Sequence, residues 1–561
     1  MGKYVSSDGF IEVMNAYDVE HVFFNPGIDN VPILEALSKY RASGSQVPRG
    51  ILCLDEFVAM TAAHGHYMAS GRPQAVLVHS ELGTQQIGGA LHNAQWGRVP
   101  VVLCAEPLGP SERTNWRQEP FDQGSMVRNC VKWDHQLGDH EDIRDVAQKA
   151  FEIATTEPCG PVYLVFPRDT YSRKVDGDKE VQPTTAERTA VPPPDESLLE
   201  NAAEILMSAR NPLIITGYAG RKSQTVTALV SLSEALSARV LAADIRMNFP
   251  NTHPMSARLD PDDVRRRAPN PYLTTADVIL VIDYDMHYAA PPTVPASDAK
   301  IIHIDIDPKK RGRPLWGRKA DILIEADSSL AIPVLHAMIN RRLTPDHRDR
   351  FRERFTRIAD EHKRLQDKWH QQAERDGRHG PITPDWLCHC INEVINEETV
   401  IVNQVITPSA SVVHQIQRRR PGTLLSCAGG AIGWALGAGF GAKLALPNST
   451  VVSLMGDGAF IYGCPVASLW SAGFYKVPFL AVIFNNQAYA AIKGLFVESY
   501  DVDNMGADIS TPPDFARVAE ACGAFGRKVE TPSEVLPALK EALDQAHRGR
   551  PAVLDVRLQQ P

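Results

Sequence analysis

Short apolar runs recur along the chain, bounded by turn residues and separated by stretches with apolar positions three and four apart. The first pattern predicts buried strands and the second predicts helices packed on one face. In the first third the strand-like runs fall at 21–24, 50–54, 75–79, 99–104 and 162–166. A polar, proline-rich stretch at 172–194, containing VQPTTAERTAVPPP, reads as a linker. Further runs lie at 212–216, 238–242, 278–282 and 300–306. From about 340 to 380 the chain turns charged and helical, which predicts a solvated connector. The last set lies at 399–403, 423–426, 451–455, 479–484 and 552–556. Strands alternating with helices imply parallel sheets with helices on both faces. The fold class is therefore α/β, with three doubly wound domains expected at 1–175, 195–340 and 383–561 and a helical connector at 341–382.

Composition narrows the partners more than the fold. The 561 residues carry a net charge of −9, which argues against a polyanion-binding protein. The basic runs at 265–267, 309–313 and 418–420 are short and sit among acidic residues, so they read as surface charge. Nine scattered cysteines suit a reducing compartment better than a disulfide scaffold. The N-terminus has no apolar signal region. The longest uncharged-looking run, 428–446, is rich in glycine and contains Lys443, so a buried helix is expected rather than a membrane span. A cytoplasmic enzyme with no membrane or nucleic-acid partner is expected. Cys388-His389-Cys390 has no second ligand pair at zinc spacing and reads as structural. Gly217-Tyr218-Ala219-Gly220-Arg221 follows a strand but is not a dinucleotide fingerprint.

The densest chemical signal is Gly456-Asp457-Gly458 at the end of one apolar run and Asn485-Asn486-Gln487-Ala488 at the end of the next. Parallel sheets bind ligands at the carboxyl ends of their strands. Asp457, Asn486 and a backbone carbonyl near Ala488 are hard oxygen donors that suit Mg²⁺ completed by phosphate oxygens. Gly456 and Gly458 permit close backbone approach, and the helix starting at Ala459 offers amide groups to an anion.

This Gly-Asp-Gly … Asn-Asn pattern resembles the signature of thiamine-diphosphate-dependent enzymes. The resemblance covers nearly the whole chain and is closest to the branch of benzoylformate decarboxylase and the acetolactate synthase large subunit. VFFNPGIDNVPILEAL, LDEFVAMTAAHGHYMASGRPQAVLVHS, GTQQIGGALHNAQWGRVPVVLCAEP and SCAGGAIGWALGAGFGAKLALP carry it. It implies pyrimidine-binding, central and diphosphate-binding domains in that order. It also implies a homodimer or homotetramer with the active site between subunits, and thiamine diphosphate and Mg²⁺ as cofactors. The family's FAD segment is absent, so FAD is not expected.

The resemblance implies roles for individual residues. Glu56 would address the aminopyrimidine of the cofactor; alone it would read as an acid at a helix start. Ile432 would support the cofactor's bent form or simply fill the core, and the Gly430 carbonyl would accept from its amino group. Thr407 falls near the diphosphate. His79 and His287 match substrate-handling histidines. Gln118 matches an acetolactate synthase glutamine, with a loop amide as the alternative. Ile28 stands where the decarboxylase has a serine. Ile492, Leu495 and Phe496 are candidates for an apolar wall. The implied reaction is decarboxylation of a 2-oxo acid, the resulting enamine being protonated to an aldehyde or ligated to a second carbonyl. Acetolactate-synthase-like ligation as the main activity, and non-catalytic cofactor binding, stand as the alternatives.

Overall fold

The computed structural model describes residues 5–107, 122–173, 193–259, 268–285, 294–310, 320–494 and 506–560. Gln118, His287, Leu495 and Phe496 lie outside them.

Three parallel sheets organise the chain. In the first, β1 (His21–Phe24), β2 (Arg49–Leu52), β3 (Gln74–Val78), β4 (Val101–Ala105), β5 (Trp133–Gln136) and β6 (Val162–Val165) stand in the order β2-β1-β3-β4-β6-β5. The second contains β7 (Pro212–Thr216), β8 (Arg239–Ala242), β9 (Val278–Ile282), β10 (Lys300–Asp305) and β11 (Ile322–Glu325), in the order β11-β10-β9-β7-β8. The third contains β12 (Val400–Gln404), β13 (Leu424–Ser426), β14 (Val451–Gly456), β15 (Leu480–Asn485), β16 (Phe525–Val529) and β17 (Ala552–Arg557), in the order β13-β12-β14-β15-β17-β16. The first and third sheets share one topology. In each, the chain reverses its direction of growth beside the first strand, which opens a crevice at the carboxyl edge.

Central strands such as β3, β4, β7, β9 and β12 are buried along their whole length, so they appear in the sequence as unbroken apolar runs. The apolar pattern missed β5, β11 and β16. All three are edge strands; Trp133–Gln136 is only partly buried and Ile322–Glu325 alternates between buried and exposed. An edge strand has one pairing partner and tolerates exposed positions, and these three carry too short an apolar run to stand out.

The 32-residue helix Pro345–Asp376 begins at the Thr344 cap, whose hydroxyl accepts from His347 N–H. It is more than a solvated connector: Phe351, Arg354, Ile358, His362, Trp369 and Ala373 form a buried stripe. Arg354 donates to the carbonyls of Ala209 and Ser237, at 2.9 and 3.1 Å, and so ties this helix to the second domain.

The first and third domains pack through two glycine-containing helices, Glu56–Ser70 and Trp434–Ala445. A Cβ on Gly441 would fall 1.9 Å from the Ala62 carbonyl, and one on Gly65 would fall 2.2 Å from the Ala438 carbonyl. Glycine at both places lets the helix backbones touch, and one hydrophobic core runs through both domains. Trp434–Ala445 occupies the long uncharged run and is buried against protein. Among the described residues, no helix is long and apolar enough to cross a membrane.

Candidate active site

Each of these sheets presents the ends of four neighbouring strands on one edge. In the third domain, Thr407 follows β12, Gly430 and Ile432 follow β13, Asp457 follows β14 and Asn486 follows β15. Register pairs Gly456 with Phe484, so the two motif loops leave the sheet side by side. Asp457 joins them. Its Oδ1 accepts from Gly458 N–H at 2.8 Å and its Oδ2 from Gln487 N–H at 2.7 Å. Asn486 Oδ1 accepts from Ala488 N–H at 3.1 Å. Gln487 holds a left-handed backbone at φ 58°, which turns the loop back over Asp457.

Asp457 is only 3% exposed, and burial pushes its carboxyl above the ordinary range while backbone amides pull it down. Among the described residues no cationic side chain pairs with it. A buried carboxylate held only by amide groups, beside an amide oxygen, is a donor set that a hard divalent cation completes. Space exists for the rest of a phosphate ligand: a Cβ built on Gly456 or Gly430 meets nothing within 4 Å. Thr407 is exposed and Ile432 half-buried. The loop that carries Gly430 and Ile432 is fixed from two sides. Asn93 of the first domain accepts from Ala431 N–H and donates to its carbonyl, and Gln404 donates to the same carbonyl.

The first domain repeats this layout. Asn25 to Asn30 follow β1, Glu56 follows β2, His79 follows β3 and Glu106 follows β4. Asp55 caps the helix by accepting from Phe57 and Val58 N–H, which leaves the neighbouring Glu56 carboxyl for other work. Glu56 is 9% exposed, and its Oε2 accepts from Asn25 Nδ2 at 3.0 Å. His79 Nδ1 lies 2.6 Å from Asp29 Oδ1, and Asp29 Oδ2 accepts from Ser80 N–H at 3.1 Å. Gly27 makes this pair possible, since a Cβ there would fall 1.9 Å from His79 Nδ1 and 2.2 Å from Asp29 Oδ1.

Asn25, Asp29 and Glu106 escaped the sequence reading. Asn25 and Asp29 stand on either side of Pro26-Gly27-Ile28, and Glu106 follows an apolar strand just as Glu56 does. The available signal was position: polar residues directly after buried parallel strands. Glu106 is completely buried. Its two oxygens, Tyr171 OH and Asn30 Nδ2 all lack a partner at hydrogen-bonding geometry among the described residues. Burial raises the Glu106 carboxyl well above its usual range, opposed by Tyr171 and Asn30 and reinforced by Asp29. Burial also raises Asp29, against the pull of His79.

A testable consequence follows for Glu106. The unfolded chain releases this proton above about pH 4.5, whereas the folded protein keeps it. Stability must therefore fall as pH rises from that point until the folded pKa is passed, by up to about 1.4 kcal/mol per pH unit. Glu106→Gln keeps the shape and removes the titration. Its melting temperature relative to wild type is expected to climb as pH rises from about 4.5 toward the folded pKa. A constant difference across that range would show that Glu106 ionises normally.

The strand-end layouts of an α/β fold gather Asp457, Asn486 and open glycine backbone on one domain and Glu56, His79 and Asp29 on another. Comparison with known proteins agrees on the family. Residues 6–126 match the N-terminal thiamine pyrophosphate (TPP)-binding domain, 199–341 the central domain and 407–556 the C-terminal TPP-binding domain of thiamine pyrophosphate enzymes. The chain belongs to the thiamine pyrophosphate enzyme family. It is 27% identical to the benzoylformate decarboxylase of Pseudomonas aeruginosa over 98% of both chains. To a probable acetolactate synthase large subunit of Methanococcus aeolicus it is 25% identical over 96% of this chain and 90% of that one. Its fold matches the solved 4-hydroxybenzoylformate decarboxylase of Rhodococcus jostii, with a TM-score of 0.79 at 23% identity and full coverage of both chains. A benzoylformate decarboxylase structure from Polynucleobacter necessarius gives 0.80 at 22% identity, covering 99% of this chain and 98% of that one.

Proposed function

We propose that this protein is a thiamine-diphosphate- and Mg²⁺-dependent decarboxylase of 2-oxo acids that releases an aldehyde. The observation that carries the choice is the His79–Asp29 pair at 2.6 Å, on the same sheet edge as Glu56. A histidine oriented by a buried carboxylate can hold or deliver a proton at a fixed place. Protonation is the step that separates aldehyde release from ligation to a second carbonyl.

When bound, thiamine diphosphate supplies the electron sink for carbon–carbon cleavage. The residues of this chain supply the rest. Asp457, Asn486 and the Ala488 carbonyl would hold Mg²⁺. Gly456, Gly458, Ala459 and Thr407 would line the diphosphate. The Gly430 carbonyl and Ile432 would face the rings, and Glu56 would hold a proton against the aminopyrimidine. Ile28, which is 71% exposed on the edge beside His79, favours an apolar substrate side chain.

Apolar side chains left open at both edges support a dimeric active unit. Ile28, Leu54 and Leu82 are exposed on the segments that carry Glu56 and His79, and Ile406, Ile461, Tyr462, Tyr489 and Ile492 are exposed on the segments after β12, β14 and β15. Facing the first domain of one subunit to the third domain of its partner would cover both sets.

The test is a panel of 2-oxo acids with purified protein, thiamine diphosphate and Mg²⁺, following CO₂ and identifying products by mass. Free aldehyde is expected as the main product, and His79→Ala is expected to lower its yield at least tenfold. A 2-hydroxy ketone or an acetolactate-like acid as the main product without added aldehyde would instead make the protein a carboligase. No CO₂ from any acid would overturn the reading.

A further inference from the structure

Glu20, His21 and His66 meet at the amino edge of the first sheet, the edge opposite Glu56. Glu20 and His21 lead into β1, and His66 comes from the helix Glu56–Ser70, which runs back along the sheet. One donor atom from each lies within 4.8 Å of the others. His21 Nδ1 is 3.1 Å from His66 Nε2, and Glu20 Oε2 is 3.3 Å from that same Nε2.

The hydrogen bonds around His66 settle which of its nitrogens is free. Ser70 Oγ donates its single proton to the His66 carbonyl at 2.9 Å, so toward His66 Nδ1, at 3.2 Å, it can only accept. His66 Nδ1 therefore carries the hydrogen, and the neutral ring turns an Nε2 lone pair toward a carboxylate and a second imidazole. One proton on His21 Nδ1 can join the two rings. It does nothing for the Glu20 oxygen that faces His66.

We propose that Glu20, His21 and His66 form a binding site for a divalent first-row transition cation, separate from the Mg²⁺ and cofactor site. Two imidazoles and one carboxylate are the donor set such ions favour. A cation about 2.0–2.1 Å from each ligand, at angles between octahedral and tetrahedral, leaves the donors about 2.9–3.4 Å apart. The separations of 3.1 and 3.3 Å fall in that range. Gln74 and Arg72 shape the surroundings: Gln74 Oε1 accepts from His21 N–H at 3.0 Å, and Arg72 pairs with the outer oxygen of Glu20. This leaves Oε2 for the metal. Arg72 and the nearby Arg49 add positive charge, which weakens cation binding relative to a closed structural zinc site. His66 lies ten residues beyond Glu56, about 15 Å along the helix, so the ion would fasten the helix to β1 without touching the chemistry.

The test is zinc binding by the holoenzyme saturated with thiamine diphosphate and Mg²⁺. Equilibrium dialysis against Zn²⁺ is expected to leave wild type with about one more zinc per chain than either Glu20→Gln or His66→Asn. Zn²⁺ is also expected to raise the melting temperature of wild type alone, by at least about 2 °C. Glu20 is partly exposed, so its variant keeps the test valid if His66→Asn folds poorly. Equal zinc content in wild type and Glu20→Gln, or no zinc in wild type, would overturn the site and leave the two histidines joined by a proton.

Discussion

Glu56→Gln is expected to lower kcat by about 10²–10⁴-fold, which corresponds to about 3–5 kcal/mol of transition-state stabilisation. The substitution is conservative where structure is concerned. Glutamine has the same length, and its oxygen can still accept from Asn25 Nδ2, which now lies 3.0 Å from Glu56 Oε2. The helix start is also preserved, because Asp55 and not Glu56 receives the first free amides. Only the exchangeable proton of a carboxyl group is lost. Gly83 packs tightly here: a Cβ on it would fall 2.8 Å from Glu56 Oε1, so that oxygen has little room to swing aside. Steady-state rates on the best 2-oxo acid, with calorimetry to show that thiamine diphosphate still binds, separate a chemical defect from a binding defect. A variant that keeps more than a tenth of wild-type activity would show that Glu56 is no more than a helix-terminal acid.

The same residue shows how far the sequence reaches. The parallel three-domain fold was legible because buried parallel strands are continuous apolar runs, and the polar residues ending them were legible as candidates. Asp457 and Asn486 were paired by motif, and the hydrogen bond from Gln487 N–H to Asp457 Oδ2 gives that pairing a physical form. Long-range pairs were not legible. Asp29 lies fifty residues before His79, and only the adjacency of β1 and β3 brings them together. Glu106 looked like the end of an ordinary strand, since burial and the facing Tyr171 are tertiary facts. Glu20, His21 and His66 likewise meet only once the helix folds back on the sheet. Gln118 and His287 lie outside the described residues, so their roles rest on resemblance alone.

Asp457→Ala is expected to weaken binding of Mg²⁺ and thiamine diphosphate by at least about a hundredfold, because it removes the one charged group of the proposed donor set and also frees the loops it joins. Gly458 and Gln487 N–H would both lose their acceptor in a buried place, so the turn that presents Asn486 loosens as well. Isothermal titration would read this loss directly, and unchanged affinity would remove Asp457 from the site. A mixed dimer makes the variant more informative. If each active site takes Glu56 from one subunit and Asp457 from its partner, a dimer of one Glu56→Gln chain and one Asp457→Ala chain holds one doubly damaged site and one intact site. Two differently tagged chains, coexpressed and purified through both tags, should then show about half of wild-type activity, although each variant alone is nearly inactive. If each site were built within a single chain, both sites of the mixed dimer would carry one lesion and activity would stay at background. The exposed apolar residues on the segments that carry Glu56 and Asp457 favour the first outcome, since a partner subunit would cover both sets.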